Sequence, residues 1–459
     1  MVEKVATIRG LRVDVPPDAV LLASRVASLG GLATLISGVP DGSGRWRSFV
    51  AALPVERVTS LAPPGGVVPG EPAGALGGVP RWIGFAPYEA ARHLERPTWR
   101  RDDHRPPPHH ATPSWARYGA VLMVDHHRGE VLAVGDDPAC VRELARAALA
   151  PAASGPATVR LTREEPPERH AERIREALSR IGAGDLYQVN LARRLDLEVQ
   201  GDPVALLRRM MRSSRSSHGS CLQLFDDATI VSTSPELFLR AGADGRVVTE
   251  PIKGTRPRGP DAESDRALGL DLDADPKERA ELAMVIDLER NDLGRLAVVG
   301  SVRLVEPPRV VTLPTLHHRV ATVTARLPAG TTWEALLAAT FPSGSVTGAP
   351  KVRAMETIAD LEETRRGLYT GAIGHVSFDG TLTLAMAIRT LTISGTEGHW
   401  HAGGGIVAGS DPDREVEETR VKSQQVVALL GGLLGQTPRF SITSEDTRDG
   451  YRGGLPGRR

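Results

Sequence analysis

Apolar residues recur at helical spacing after Pro166 and Pro167, at Ile174, Ala177, Leu178 and Ile181, until Gly182 and Gly184 interrupt the pattern. That spacing predicts a helix of about four turns. The period then changes to two. From Leu186 to Leu195, Tyr187, Val189, Leu191 and Leu195 share one strand face and Gln188 and Asn190 the other, so one face suits a core and the other a pocket. Further strand-like runs at 229–233, 247–249, 373–378 and 383–392 alternate with helical ones. They lack the regular rhythm of a doubly wound sheet, and the expected class is α+β. Residues 1–150 alternate short apolar runs with Pro/Gly connections such as 62–66 and 105–108 and read as scaffold. The small-residue stretch 150–156 marks the boundary, and the polar, Gly- and Arg-rich tail 436–459 is expected to be disordered. No internal repeat of fixed period is visible.

Composition narrows the partners. The chain has 459 residues, 41% of them hydrophobic, enough for a large core. Lys plus Arg equals Asp plus Glu at 56 each, so net charge draws it neither to nucleic acid nor to an anionic membrane. A small-molecule partner is expected. The first 40 residues carry no uninterrupted apolar leader, and Cys140 and Cys221 are too few for a disulfide framework or zinc site, which fits the cytoplasm. Only five lysines occur, Lys4, Lys253, Lys277, Lys351 and Lys422, against 51 arginines. Where lysine survives such a bias, the position can require an amine able to lose its proton and attack an electrophile.

Two segments share one helix-start grammar. Asp275-Pro276 precedes Glu278 and Glu281, and Asp411-Pro412 precedes Glu415 and Glu418, in each case aspartate at the N-cap and two glutamates three apart. A single such pair is ordinary solvated helix surface. Two such helices facing each other would present four hard oxygen ligands without histidine or cysteine, a set suited to Mg²⁺. The run from Phe341 to Lys351 leads into a helix but lacks the Walker spacing, and Gly403-Gly404-Gly405 lacks the dinucleotide fingerprint. Nucleotide binding is not expected.

Taken in order, these segments resemble the chorismate-utilising enzymes, the family of anthranilate, aminodeoxychorismate, isochorismate and salicylate synthases. The resemblance covers about residues 166–430. It rests on Gly184 to Leu191, Ser234-Pro235-Glu236, Pro251 to Gly259, both glutamate helices, Asp287 to Arg295, Thr347 to Lys351 and Ala387 to Thr390. It implies a mixed α/β sandwich of the anthranilate synthase component I type, antiparallel-rich with helices outside, and a chorismate-binding domain at 160–435. It also implies Mg²⁺ held by Glu278, Glu281, Glu415 and Glu418 against the ring carboxylate of chorismate. Arg389 and Tyr369 would grip the enolpyruvyl carboxylate, with Lys422, Gly403 and Gly405 helping. Gln188, Gly254, Thr255 and Thr347 would line the substrate, Glu236 would be the general acid for the departing C4 hydroxyl, and His318 matches an active-site histidine. His317 and the segment 287–295 are taken as structural.

Two positions separate the branches of the family. Gln188 stands where water-adding members resemble each other in having a lysine base, and glutamine cannot deprotonate water. Lys253, in Pro-Ile-Lys-Gly-Thr, resembles the aminodeoxychorismate branch, where anthranilate synthases typically show alanine. The implied chemistry is attack of the Lys253 amine on C2 with loss of the C4 hydroxyl, then ammonia attack at C4, giving a precursor of para-aminobenzoate and folate. A separate glutamine amidotransferase would supply the ammonia. Cys221 in Gly219-Ser220-Cys221-Leu222 is expected to be packing, and no lyase module is evident. The alternatives are anthranilate synthase component I and a non-catalytic chorismate-binding regulator. Ser214 to His218 replaces the segment tied to tryptophan regulation, so no such inhibition is expected. Leu282 and Gly409 also depart from the family pattern.

Overall fold

The computed structural model describes residues 9–40, 44–68, 77–94, 103–153, 155–214, 216–225, 228–313 and 316–430. The tail 436–459 lies outside them. Among the described residues the strands form antiparallel sheets of twelve, nine and three strands. Strands from before residue 150 sit in both large sheets. Ala33–Ile36 pairs with His218–Phe225 in the first, and Pro80–Ala86 pairs with Ala372–Ser377 in the second. The segments before and after residue 150 therefore share both sheets.

Strand alternation builds the layers. In Ala120–Asp125, Val121 and Met123 join a cluster with Ile83, Phe85, Tyr118 and Ile373, which fills the space between the two large sheets. Leu122 and Val124 point the other way, into a cluster with Leu22, Leu144 and Leu207 from the helices Ala19–Val26, Pro138–Ala147 and Pro203–Ser213. On the outer face of the nine-stranded sheet, Phe238, Leu239 and Leu384 pack with Ile286, Trp333 and Ile358 from three further helices. The order is helices, sheet, sheet, helices, the sandwich that the sequence implied.

Local expectations fare unevenly. The helix after Pro166 runs Pro167–Gly182 and buries Ile174 and Ala177. The following strand is Gln188–Gly201, longer than its apolar alternation suggested. Tyr187, expected on the core face, is 69% exposed, because it precedes the strand and is held only by its N–H on the Ala349 carbonyl. The run 383–392 is not one strand. It splits into Leu382–Met386 in the nine-stranded sheet and Thr390–Ser394 in the twelve-stranded sheet. Arg389, at φ 50°, makes the corner between them. A left-handed conformation is costly for a side-chain-bearing residue, and here it stands where the chain passes from one sheet to the other, with the guanidinium near His318 and Lys422.

Candidate active site

The site forms where the glycine strand, the Lys253 strand and the two glutamate helices meet. Glu397–Val407 pairs along Gln188–Gly201, setting Gly405 opposite Asn190 and Gly403 opposite Ala192. A methyl group on Gly405 would lie 2.8 Å from Gln188 Nε2 and 3.6 Å from Lys253 Nζ. Glycine thus keeps open the gap between the amide and the amine. On Gly404, a methyl would lie 3.3 Å from Glu415 Oε2 and 3.5 Å from Glu418 Oε1, so the second glutamate helix sets both carboxylates against the glycines, which form part of a strand rather than the turn their sequence suggested. Gly403 offers its carbonyl to Lys422 Nζ at 2.8 Å.

Lys253 lies in Ile252–Pro257, paired with Leu316–Val320 in the three-stranded sheet. The register shifts between Lys253 and Thr255, where Gly254 adopts φ 75° against Glu278. Beyond the shift Thr255 faces His318, and its hydroxyl lies 3.0 Å from His318 Nδ1. Lys253 Nζ donates to the Ser345 carbonyl at 3.3 Å, while the Ser345 hydroxyl donates to Glu236 Oε1 at 2.8 Å. One residue therefore tethers both the amine and the acid. Burial raises the Glu236 carboxyl against the opposing effects of Ser345 and Lys253, which favours the protonated form.

Unsatisfied atoms mark the pocket. Both amide atoms of Gln188, Asn190 Oδ1, His318 Nε2 and Glu415 Oε2 are buried without a hydrogen-bond partner. Buried polar atoms are normally paired, so a cluster of orphans points to a ligand. Burial, aided by Arg389, lowers His318 to about 4, which keeps its imidazole neutral near pH 7. Burial lowers Arg389, no acidic neighbour offsets it among the described residues, and its guanidinium is available to an anion. Tyr369 stacks on His401 with centroids 5.0 Å apart at 12°. Thr347 is fully buried, its hydroxyl on the Ser343 carbonyl at 2.8 Å and its own carbonyl accepting the Asn190 N–H at 2.7 Å. It shapes the wall.

The glutamate helices start as their sequences imply. Asp275 caps Pro276–Gly294 through the N–H groups of Lys277 and Glu278, and Asp411 caps Pro412–Lys422 through Arg414. Among the described residues no three His, Cys, Asp or Glu side chains converge closely enough to hold a metal ion. Lysines neutralise the carboxylates instead. Lys277 Nζ lies 3.1 Å from Glu415 and 3.6 Å from Glu281, and Lys422 Nζ lies 2.6 Å from Glu418. Lys422, with burial opposing it, holds Glu418 down at about 2. Burial, then Glu281 and Glu418, raises Glu278, and burial likewise raises Glu415. The donor types, carboxylate oxygens with one orphan among them and no soft ligand, suit a hard divalent cation, while the four side chains do not converge on one point.

Several residues escaped the sequence. Ser345 and Ser343 sit in the glycine-rich loop and drew no notice, and Lys277 was not assigned to the glutamates. Glu289, within the segment taken as structural, is buried on the apolar stripe of its helix with Leu282, Val285, Ile286 and Leu293. A carboxylate at a core position of the helical period was the available signal. His317 is structural as expected, bound to Asp265 at 2.9 Å and Thr312 at 2.9 Å. Cys221 is buried in its strand and free.

This geometry is that of an enzyme site built for a small anion. The model of the chorismate binding enzymes matches residues 46–428, and the chain belongs to that family. It is 41% identical to aminodeoxychorismate synthase component 1 of Klebsiella aerogenes over 362 residues, 77% of each chain. It is also 38% identical to anthranilate synthase component 1 of Thermus thermophilus over 372 residues, 77% of this chain and 78% of that one. Among solved structures, anthranilate synthase component I from Streptococcus pneumoniae TIGR4 superposes with a TM-score of 0.68 at 29% identity, covering 83% of this chain and 91% of the other.

Proposed function

We propose that this chain aminates chorismate at C4, as the synthase component of an aminodeoxychorismate synthase. The observation that carries the proposal is the double tether on Ser345, which brings the Lys253 amine and the Glu236 acid to one wall of the pocket. The Lys253 amine attacks C2, both ring double bonds shift by one position, and the C4–O bond breaks with its electron pair leaving on oxygen. Glu236 gives that oxygen a proton, so water departs. Ammonia then attacks C4 and loses a proton, both double bonds return to their first positions, and the Lys253 nitrogen leaves C2 with its electron pair, yielding 4-amino-4-deoxychorismate.

The substrate is a dianion. Arg389, Tyr369 and Lys422 take one carboxylate in this scheme, with the strand segment Gly403 to Gly405 beneath. Glu278, Glu281, Glu415 and Glu418 would hold Mg²⁺, whose charge would offset the ring carboxylate. Gln188 orients the ring and supplies no base for water. The same proposal includes a glutamine amidotransferase subunit as ammonia source, a role in para-aminobenzoate and folate synthesis, and a cytoplasmic setting, which the free thiols of Cys140 and Cys221 support.

Incubation with chorismate, Mg²⁺ and an ammonium salt tests the assignment. Aminodeoxychorismate, converted to para-aminobenzoate only after a lyase is added, is the expected product. Direct appearance of fluorescent anthranilate would overturn it in favour of the anthranilate reaction, which the Thermus thermophilus relative keeps in view. Tight chorismate binding with no turnover would identify a non-catalytic regulator.

A further inference from the structure

Behind Glu236 lies a continuous line of buried hydroxyl and carboxyl groups. Ser345 Oγ donates to Glu236 Oε1 at 2.8 Å and lies 3.0 Å from Ser343 Oγ, which donates to Glu289 Oε1 at 2.7 Å. The Thr249 hydroxyl closes the far side on Glu289 Oε2 at 3.5 Å. Glu236, Ser345, Ser343 and Glu289 are all buried. A carboxyl group on the apolar stripe of a helix, joined to a candidate acid through two hydroxyls, is more than packing requires, because an apolar residue would fill that position at lower cost. The charged and titratable groups facing Glu289 are Asp292 on its own helix, Lys351 on the helix Lys351–Leu361, and Glu236 across the serines. Lys351 is bonded to Asp292 and to the Thr340 carbonyl.

We propose that Ser345, Ser343 and Glu289 form an internal proton relay behind Glu236, with Glu289 storing the proton that recharges the acid. The proposal rests on the assignment of Glu236 as the acid that releases the C4 hydroxyl. When Glu236 gives its proton to the departing oxygen it becomes a carboxylate in a buried site. Ser345 passes its hydroxyl proton to Glu236; the Ser343 hydroxyl, which donates to Glu289 in the resting chain, turns to Ser345 and gives it its proton, and Ser343 receives the proton of Glu289. Three O–H bonds form and three break, and the negative charge moves from Glu236 to Glu289, beside Lys351. The proton lost by the attacking ammonia in the second half of the cycle returns along the same line, so no outside acid is needed. Glu289 touches no reacting atom. It acts through Glu236 and is a positioning residue.

Burial, reinforced by Asp292, raises Glu289 to about 7, so the store empties as pH rises through that value. The test uses the full chain with chorismate, Mg²⁺ and ammonium salt. Glu289→Gln keeps an acceptor for Ser343 but carries no releasable proton, and is expected to lower kcat about tenfold, a fraction of the range for general acid catalysis. KM for chorismate should stay unchanged, and the alkaline limb of the kcat profile near pH 7 should vanish. Ser343→Ala should reproduce the loss and Ser343→Thr should restore the rate, which also decides the matter if Glu289→Gln fails to fold. A folded Glu289→Gln or Ser343→Ala protein with the parent kcat and pH limb would overturn the relay alone. A fall in melting temperature with unchanged turnover per folded molecule would do the same. A parent protein that yields no aminodeoxychorismate would overturn the functional assignment first, and the relay with it.

Discussion

Lys277 reaches from one glutamate helix to Glu415 on the other, with Nζ 3.1 Å from Oε1. The ammonium therefore contacts the carboxylates assigned to a divalent cation, and it competes with that cation for Glu415 and Glu281. Lys277→Gln removes both the competitor and a repelling charge. The Mg²⁺ concentration for half-maximal activity is expected to fall about two- to fivefold, the factor that corresponds to a partly exposed ion pair. Titration of activity against Mg²⁺ checks this, and an unchanged or higher requirement would count against cation binding at these helices.

The covalent step makes its own prediction. Intact-mass spectrometry after incubation with chorismate and Mg²⁺ but no ammonia should reveal a chorismate-derived adduct. Lys253→Ala should show none, and Lys253→Arg should show none either, because a guanidinium does not give up its proton. An adduct that persists in both variants would place the nucleophile elsewhere.

Glu236→Gln leaves a neutral group able to accept from Ser345 but unable to protonate an oxygen. Its kcat is expected to fall about 10²- to 10⁴-fold with chorismate affinity preserved. Steady-state rates together with equilibrium binding distinguish this from a collapsed pocket, in which affinity would disappear as well.

Gly405→Ala tests the gap between Gln188 and Lys253. The added methyl would meet Gln188 Nε2 at 2.8 Å, an approach that forces the amide to shift. A drop of about tenfold in kcat/KM, or about 1.4 kcal/mol of transition-state binding, is expected with the melting temperature nearly unchanged. Full activity would mean that the substrate does not use this space.

Stability should follow Glu289. Its carboxyl is raised in the folded chain to about 7 from an ordinary value of 4.5. Between those values the folded state holds a proton that the unfolded state has released, so stability falls as pH rises through the window and levels off above it. At about 1.4 kcal/mol per unit the contribution is up to about 3 kcal/mol. Denaturant unfolding of the parent chain should show that decline between pH 4.5 and 7, and Glu289→Gln should flatten it.

The chain's own pattern carried much of the site. Asp-Pro followed by Glu-x-x-Glu marks a helix start by local chemistry alone, and both helices begin where the aspartate caps them. Lys253 was visible as a rare amine in an arginine-rich chain. Glu289 was passed over because the segment 287–295 reads as a buried helix end held by salt bridges, a structural role that singles out no one carboxylate. Burial of one residue in such a run depends on the rotation of the helix about its axis, which neighbours distant in sequence decide.

Sequence by itself determined the short-range features: capped helices, alternating strands and the residue types available for acid, amine and carboxylate roles, while the glycines 403–405, expected as a turn, lie inside the strand Glu397–Val407. These depend on periodicities and hydrogen bonds that close within a few residues. Tertiary structure alone decided that the first 150 residues would share both sheets with the rest, and that 383–392 would break at Arg389 and change sheets. It alone joined Glu236, Ser345, Ser343 and Glu289 into one line. Antiparallel pairing between segments hundreds of residues apart leaves no mark in local periodicity, because partner strands are selected by the burial and backbone hydrogen bonding of the whole sandwich.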